Sequence, residues 1–266
     1  MEKTGGNRTR CSALVTGSSR GIGRAIALAL AGEGDVGVAV HYRRHREAAE
    51  EVCGLINSMG CQSLVVQADM ELPEDRTRLF DTVGEVFGNL DILVANAAAT
   101  AFKPLEALTP YHFQRTFDVV VTSFLDAVQR CRALMAGRPG RIVAVSSMGS
   151  GVPLPQYAAL GVSKAALESL VRYVAAEYGP AGITCNAVMP GVIHTDSLEF
   201  YARQSTGDFV RSVVQHTPVG RLGSAEDIAE AVRWLTSQGA GFVTGQILVV
   251  DGGLSLSAPG YGEAGR

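Results

Sequence analysis

The 266-residue chain contains no apolar run approaching the roughly 18 residues that a membrane-spanning helix needs. It has no marked excess of either charge. Its 23 basic and 26 acidic side chains leave a formal net charge of −3, which makes no electrostatic case for nucleic acid or an anionic membrane as partner. The five cysteines (11, 53, 61, 131 and 185) are odd in number and fall at no metal-ligand spacing. They read as small reduced core residues, and no metal site is expected. The first ten residues are polar, with no apolar segment of the secretory type. The expected location is therefore cytoplasmic. No linker, internal repeat or low-complexity stretch divides the chain, so one domain is expected despite its length.

What the chain does have is apolar character (47%) and 31 glycines, enough for a large core and many tight turns. Short apolar runs at 11–16, 36–40, 62–67, 91–95, 141–145, 182–188 and 246–250 have the composition of buried strands. Helical stretches lie between them at 25–31, 46–59, 73–87, 109–135 and 157–178. Strands and helices alternating at this cadence predict an α/β fold, a parallel sheet of about seven strands with helices on both faces. Residues 1–10 are expected to be a frayed tail.

Three places along this pattern carry chemistry. Gly17-x3-Gly21-x-Gly23 joins the first strand to a helix. Glycine there lets backbone approach a pyrophosphate, and the helix start offers free N–H groups and a positive dipole end. The second strand ends in His41-Tyr42-Arg43-Arg44, with no acidic residue to accept hydrogen bonds from an adenosine ribose. Arg43 and Arg44, with Arg20 in the glycine turn, suit a 2′-phosphate instead. Finally, Ser146-Ser147 closes the fifth strand and Lys164 lies on the next helix. That places a site at the carboxyl edge of the sheet, where open α/β sheets bind ligands.

Thr16-Gly-Ser-Ser-Arg-Gly-Ile-Gly23 and Pro190-Gly-Val-Ile-His-Thr195 resemble the Thr-Gly-x3-Gly-Ile-Gly and Pro-Gly-x-x-x-Thr motifs of the short-chain dehydrogenase/reductase superfamily. The resemblance covers roughly 11–254, leaving 255–266 as a C-terminal tail. It implies a single-domain Rossmann-type doubly wound sheet binding NADPH. Gly17, Ser19, Arg20, Gly21, Ile22 and Gly23 would hold the diphosphate. Asp69 and Met70 would lie at the adenine, and Asn96 and Ala97 stand where the superfamily has part of Asn-Asn-Ala-Gly. Lys164, Pro190, Gly191, Ile193 and Thr195 would surround the nicotinamide end. His194 occupies a place to which the motif is indifferent and is expected to be an exposed loop residue.

The chain departs from the superfamily's ketone-reducing pattern at two positions. Leu160 stands four residues before Lys164, where the usual tyrosine belongs, and Val120 replaces the asparagine that helps to hold a water relay. The tyrosine nearby is Tyr157, giving Tyr-x6-Lys, the spacing of the NADPH-dependent enoyl-acyl-carrier-protein reductase branch. Seven helical residues make nearly two turns, a rise of about 10.5 Å, so Tyr157 and Lys164 can share a face. The resemblance implies Tyr157 and Lys164 as catalytic residues with Ser147 as a polar contact, and gives Ser146 a structural place. It further implies reduction of a trans-2-enoyl thioester, carried on acyl carrier protein or coenzyme A. It also implies a homotetramer built through the helices at 109–135 and 157–178 and the seventh strand. Two alternatives stay open: a carbonyl reductase using Tyr157 unusually, and a catalytically silent dinucleotide-binding protein.

Overall fold

The computed structural model describes residues 11–202 and 209–256. The expected N-terminal tail and most of the C-terminal one lie outside the described residues. The strands are β1 (Cys11–Val15), β2 (Val36–Tyr42), β3 (Ser63–Gln67), β4 (Ile92–Ala95), β5 (Gly140–Val145), β6 (Ile183–Pro190) and β7 (Ile247–Val250). All neighbouring pairs are parallel, in the order β3-β2-β1-β4-β5-β6-β7. In the centre of such a sheet both faces are covered. Ala13, Leu14 and Val15 accordingly have no exposed surface, and neither do Val38, Ala39 and Val40.

Helices α1 (Gly21–Ala31) and α2 (Arg46–Ser58) cover one face, joined there by α9 (Ala225–Thr236). Ile26, Leu30, Val52 and Ile56 cover the β1–β2 side of that face, and Val232 and Leu235 of α9 cover its β5–β6 side. Helices α3 (Pro73–Phe87), α5 (Ser123–Leu134) and α6 (Ala158–Tyr178) cover the other face, through Leu79, Phe124, Val128, Leu167 and Val171. The doubly wound sheet reverses its direction of growth between β1 and β4. The crevice at such a reversal is where ligands enter.

Two features differ from the sequence reading. The helix expected over 109–135 is three pieces: α4 (Pro110–Phe117), a π-helical turn at Asp118–Thr122, and α5. The three valines of the π turn are buried, and Ser123 Oγ donates to Val119 O at 2.6 Å. Between β6 and β7, where no helix is expected from sequence, lie α7 (Asp196–Ala202), α8 (Phe209–His216) and α9. The start of α9 is fixed by a capping box in which Ser224 and Asp227 exchange hydrogen bonds with each other's backbone N–H. No helix among the described residues is long and apolar enough to cross a membrane.

Candidate active site

The glycine turn leaves β1 and enters α1 under close constraint. A Cβ on Gly23 would fall 2.3 Å from Gly17 O, so only glycine lets the helix start this near the strand end. Thr16 and Asn96 tie the turn to β4. Thr16 Oγ1 accepts from the N–H groups of Asn96 and Ala97, both at 3.0 Å, while Asn96 Nδ2 donates to Thr16 O (2.9 Å) and Gly17 O (3.0 Å). Asn96 thus shapes the cradle with its side chain. Ser19 is buried, whereas Arg20 and Gly21 are exposed and Ile22 is half-buried at the rim. The first turn of α1 carries no acidic residue and no side-chain cap, leaving its N–H groups to a ligand anion.

His41, which the sequence reading passes over, is the hidden strut of this cradle. It is buried at the end of β2; its Nδ1 accepts from Gly17 N–H (2.8 Å) and its Nε2 pairs with Ala68 O at 3.0 Å. The first bond makes Nδ1 the acceptor, so Nε2 carries the proton. Its backbone N–H also donates to Ser18 Oγ at 3.1 Å. Burial pushes its pKa down to about 4, outweighing the opposing pulls of the Ala68 carbonyl and of the Asp69 and Asp75 carboxylates, and keeps the ring neutral.

Where the adenosine end is expected, Arg43 Nε sits 3.0 Å from Asp69 Oδ2, and Asp69 Oδ1 accepts from Glu71 N–H. Arg44 is exposed. Met70 is buried and its carbonyl accepts from Arg76 Nη1 at 2.8 Å. The Pro190–Thr195 segment closes the other side. Gly191 N–H donates to Val250 O at 3.0 Å, and Ile193 is buried in a bridge to Gly223. Thr195 heads α7, its Oγ1 accepting from Leu198 N–H, and its methyl lies 3.8 Å from where a Cβ on Gly21 would be. The structure therefore brings the two motifs together across the crevice. An Arg20–Asp196 ion pair at 3.4 Å spans the same gap on the surface. His194 is exposed, as expected.

The residues expected to be catalytic converge from β5 and α6. Tyr157 is the residue just before α6, and its hydroxyl lies 3.0 Å from Ser147 Oγ. Its ring lies over Gly149, where a Cβ would come within 2.5 Å of Cε1. Burial raises the phenol's pKa, with the Ser147 hydrogen bond opposing, so the hydroxyl stays protonated and able to donate. Phe102 and Tyr201 flank this ring, with centroids 5.6 and 6.0 Å away, and Tyr201 OH donates to Pro155 O at 2.9 Å. Neither aromatic residue is singled out by the sequence. Both come from loops or short helices whose place is fixed only by the tertiary fold.

Lys164 is buried at 4% exposure, and its Nζ donates to Val145 O at 2.5 Å. Desolvation lowers its pKa to about 8, against an opposing pull from Glu168. Leu160 and Val120 are both buried apolar residues, so neither can give or relay a proton. The cavity beside Lys164, walled by Val120, Phe124 and Leu167, is about 10 Å³, the bare minimum for one water. A chain of waters behind the lysine does not fit there. A larger cavity of about 180 Å³ opens beside the Pro190–Thr195 segment, lined by Gly191, Val192, Ile193, Thr217 and Val219. Its arginine, Arg221, is already held by both carboxylate oxygens of Asp227 at 2.6 and 2.8 Å, so it offers no unpaired charge to substrate.

Against known proteins, residues 17–255 match the family model described as enoyl-(acyl carrier protein) reductase. The chain is 44% identical over 248 residues to 1-cyclohexenylcarbonyl-CoA reductase of Streptomyces collinus, covering 93% of this chain and 88% of that one. It is 39% identical over 251 residues to a versicolorin reductase of Emericella nidulans, covering 91% and 94%. Among solved structures, 7α-hydroxysteroid dehydrogenase complexed with NADH and 7-oxo glycochenodeoxycholic acid superposes with a TM-score of 0.86 at 33% identity, over 92% of this chain and 94% of that one.

Proposed function

Since this chain belongs to the short-chain dehydrogenase/reductase family, we propose that it reduces the C=C bond of a trans-2-enoyl thioester with NADPH, in fatty-acid or specialised acyl biosynthesis. The observation that carries this reading is the placement of the hydroxyl donor. It comes from Tyr157, ahead of α6, while the position one turn before Lys164 is a buried leucine. The 44% identity to a reductase named for a cyclohexenylcarbonyl thioester supports the same reaction class and favours coenzyme A as carrier.

Bound in the crevice, NADPH would supply a hydride equivalent for the β-carbon. The chain's own residues then have three tasks. Negative charge moves to the thioester oxygen as the enolate forms, and the Tyr157 hydroxyl is the donor placed to meet it. Ser147, 3.0 Å from that hydroxyl, fixes where it points. The Lys164 ammonium holds the ribose hydroxyls and adds a positive charge close to the developing anion. A proton taken up at the α-carbon completes the saturated thioester. Phe102 and Tyr201 give the acyl group an apolar wall.

A second reading, carbonyl reduction, is favoured by the Ser147–Tyr157 pair itself, because a serine and a tyrosine hydroxyl can both bond one carbonyl oxygen. The ketone-bound steroid dehydrogenase neighbour points the same way. One preparation decides between them. NADPH consumption is followed with crotonyl and cyclohexenylcarbonyl thioesters on both carriers, and with an acetoacetyl thioester. Turnover of the enoyl substrates alone is expected. Turnover of acetoacetyl thioester alone would replace the first reading by the second.

A further inference from the structure

Glu168 lies one helical turn beyond Lys164 on α6 and is half-buried. One of its oxygens, Oε1, accepts from two hydroxyls, Ser146 Oγ and, at 2.6 Å, Ser150 Oγ. These serines bracket the short turn that presents Ser147 and carries Gly149 beneath the Tyr157 ring. Ser146 is also anchored through its backbone, whose N–H donates to Val188 O at 2.7 Å. The carboxylate therefore ties the turn after β5 to the helix that bears the lysine.

We propose that Glu168 is a positioning residue of this site: its carboxylate pins both ends of the Ser146–Ser150 turn to α6 and places a negative charge one helical turn from Lys164. The proposal rests on the reading of Tyr157 and Lys164 given above. The surroundings of Lys164 leave this role to one group. Thr16 from β1's end, Ala95 and Ala97 from β4's end, Met70 after β3, and Val120 and Phe124 from the π turn and α5 carry no ionisable side chain. Tyr157, at the head of the same helix, is kept neutral by burial. Glu168 alone works against the desolvation of the ammonium. A lysine that must grip ribose hydroxyls as a cation, with only one backbone carbonyl as partner, depends on that counter-charge.

Two variants separate the tasks. Glu168→Gln keeps an oxygen to accept from the serines but removes the charge, whereas Glu168→Ala removes both. Binding of NADPH and NADH is followed by nicotinamide fluorescence between pH 6 and 10, and turnover of crotonyl-CoA is measured at pH 6.5. The parent's affinity is expected to fall on the alkaline side as Lys164 loses its proton. In Glu168→Gln that limb is expected to move about one pH unit lower. Glu168→Ala is expected to add a loss of roughly 10- to 100-fold in kcat with KM little changed, as the Ser147–Tyr157 geometry loosens. An alkaline limb of Glu168→Gln that superimposes on the parent's would overturn the proposal, as would absence of an alkaline limb in the parent. The binding measurement needs no acyl substrate. A parent that binds cofactor but leaves enoyl thioesters untouched refutes the proposed reaction, while the shift of the limb still judges Glu168.

Discussion

Arg43 and Asp69 face each other across the ends of β2 and β3, Nε to Oδ2 at 3.0 Å, with side chains 31% and 25% exposed. The pair divides the work of two neighbouring arginines. Arg43 is already committed to a carboxylate that also holds the loop after β3, while Arg44 projects into solvent with no ion pair among the described residues.

We propose Arg44 as the reader of a 2′-phosphate. Arg44→Ala is expected to weaken NADPH binding by about one to two decades, the value of a charged hydrogen bond, and to leave NADH nearly untouched. Arg43→Ala is expected to weaken both cofactors together, because it frees Asp69 at the adenine end. Fluorescence titration of each variant with each cofactor checks this. Equal losses in Arg44→Ala would show that it reads no phosphate.

Tyr157→Phe removes one hydroxyl and keeps the ring. Turnover of the enoyl thioester is expected to fall by about 10²–10³, the usual cost of a lost oxyanion donor, with cofactor affinity preserved. Full activity in this variant would dismiss Tyr157 as the donor.

Gly149→Ala attacks the same hydroxyl from beneath. The added methyl would fall 2.5 and 2.6 Å from two carbons of the Tyr157 ring, so the ring must move. A displacement near 1 Å at a reacting group costs about 10² in rate, and that loss is expected in kcat while the protein still binds NADPH. Steady-state kinetics beside a cofactor titration tests it.

The buried imidazole of His41 makes the fold sensitive to mild acid. Its folded pKa, lowered from 6.5 to about 4, means that below pH 6.5 the unfolded chain takes up a proton that the folded chain refuses. The stability is fully present above pH 6.5 and drains away as pH falls toward 4, by about 3 kcal/mol in all. Urea unfolding at pH 7.5 and pH 5 is expected to show about 2 kcal/mol of this loss in the parent and none of it in His41→Gln. The same slope in both proteins would assign the acid sensitivity elsewhere.

The proposed homotetramer has a physical motive. Val162 and Tyr173 on α6 and Leu125 on α5 are 51%, 65% and 41% exposed, and Phe242 before β7 is fully so. Multi-angle scattering at micromolar concentration is expected to give four copies of the 27.9 kDa chain. A 28 kDa species would refute it.

What the sequence made legible is what local pattern controls. The strands are short apolar runs, buried on both faces at the centre of the sheet and half-exposed in the edge strands β3 and β7, so each is readable to within a residue or two, and α3 spans Pro73–Phe87 as the periodicity predicts. Tyr157 can be placed at the head of the helix that bears Lys164 by counting alone. The π turn could not, because a run of valines reads alike in any helical form and only the packing of Val119–Val121 selects the wider one. Helix α9 carries a local signal in Ser224-x-x-Asp227 ahead of Ile228, Ala229, Val232 and Leu235. His41 and Glu168 were silent for a different reason. Each acts through partners 18 to 27 residues away, Gly17 and Ala68 for one, Ser146 and Ser150 for the other, and spacing alone does not reveal such contacts.

The reversal of strand order between β1 and β4 has a consequence in time as well as in space. During synthesis β1 gains β2 on one side after little more than 20 residues, but its other edge must wait for Ile92–Ala95. At ribosomal rates of about 5–20 residues per second, the 49 residues between the end of β2 and the start of β4 take roughly 3–10 s. For that interval the nascent chain displays an apolar, unpaired strand edge, the very edge that will later border the ligand crevice. The topology that creates the binding site therefore also sets the moment at which this chain is most open to mispairing, and to rescue by whatever shields such edges.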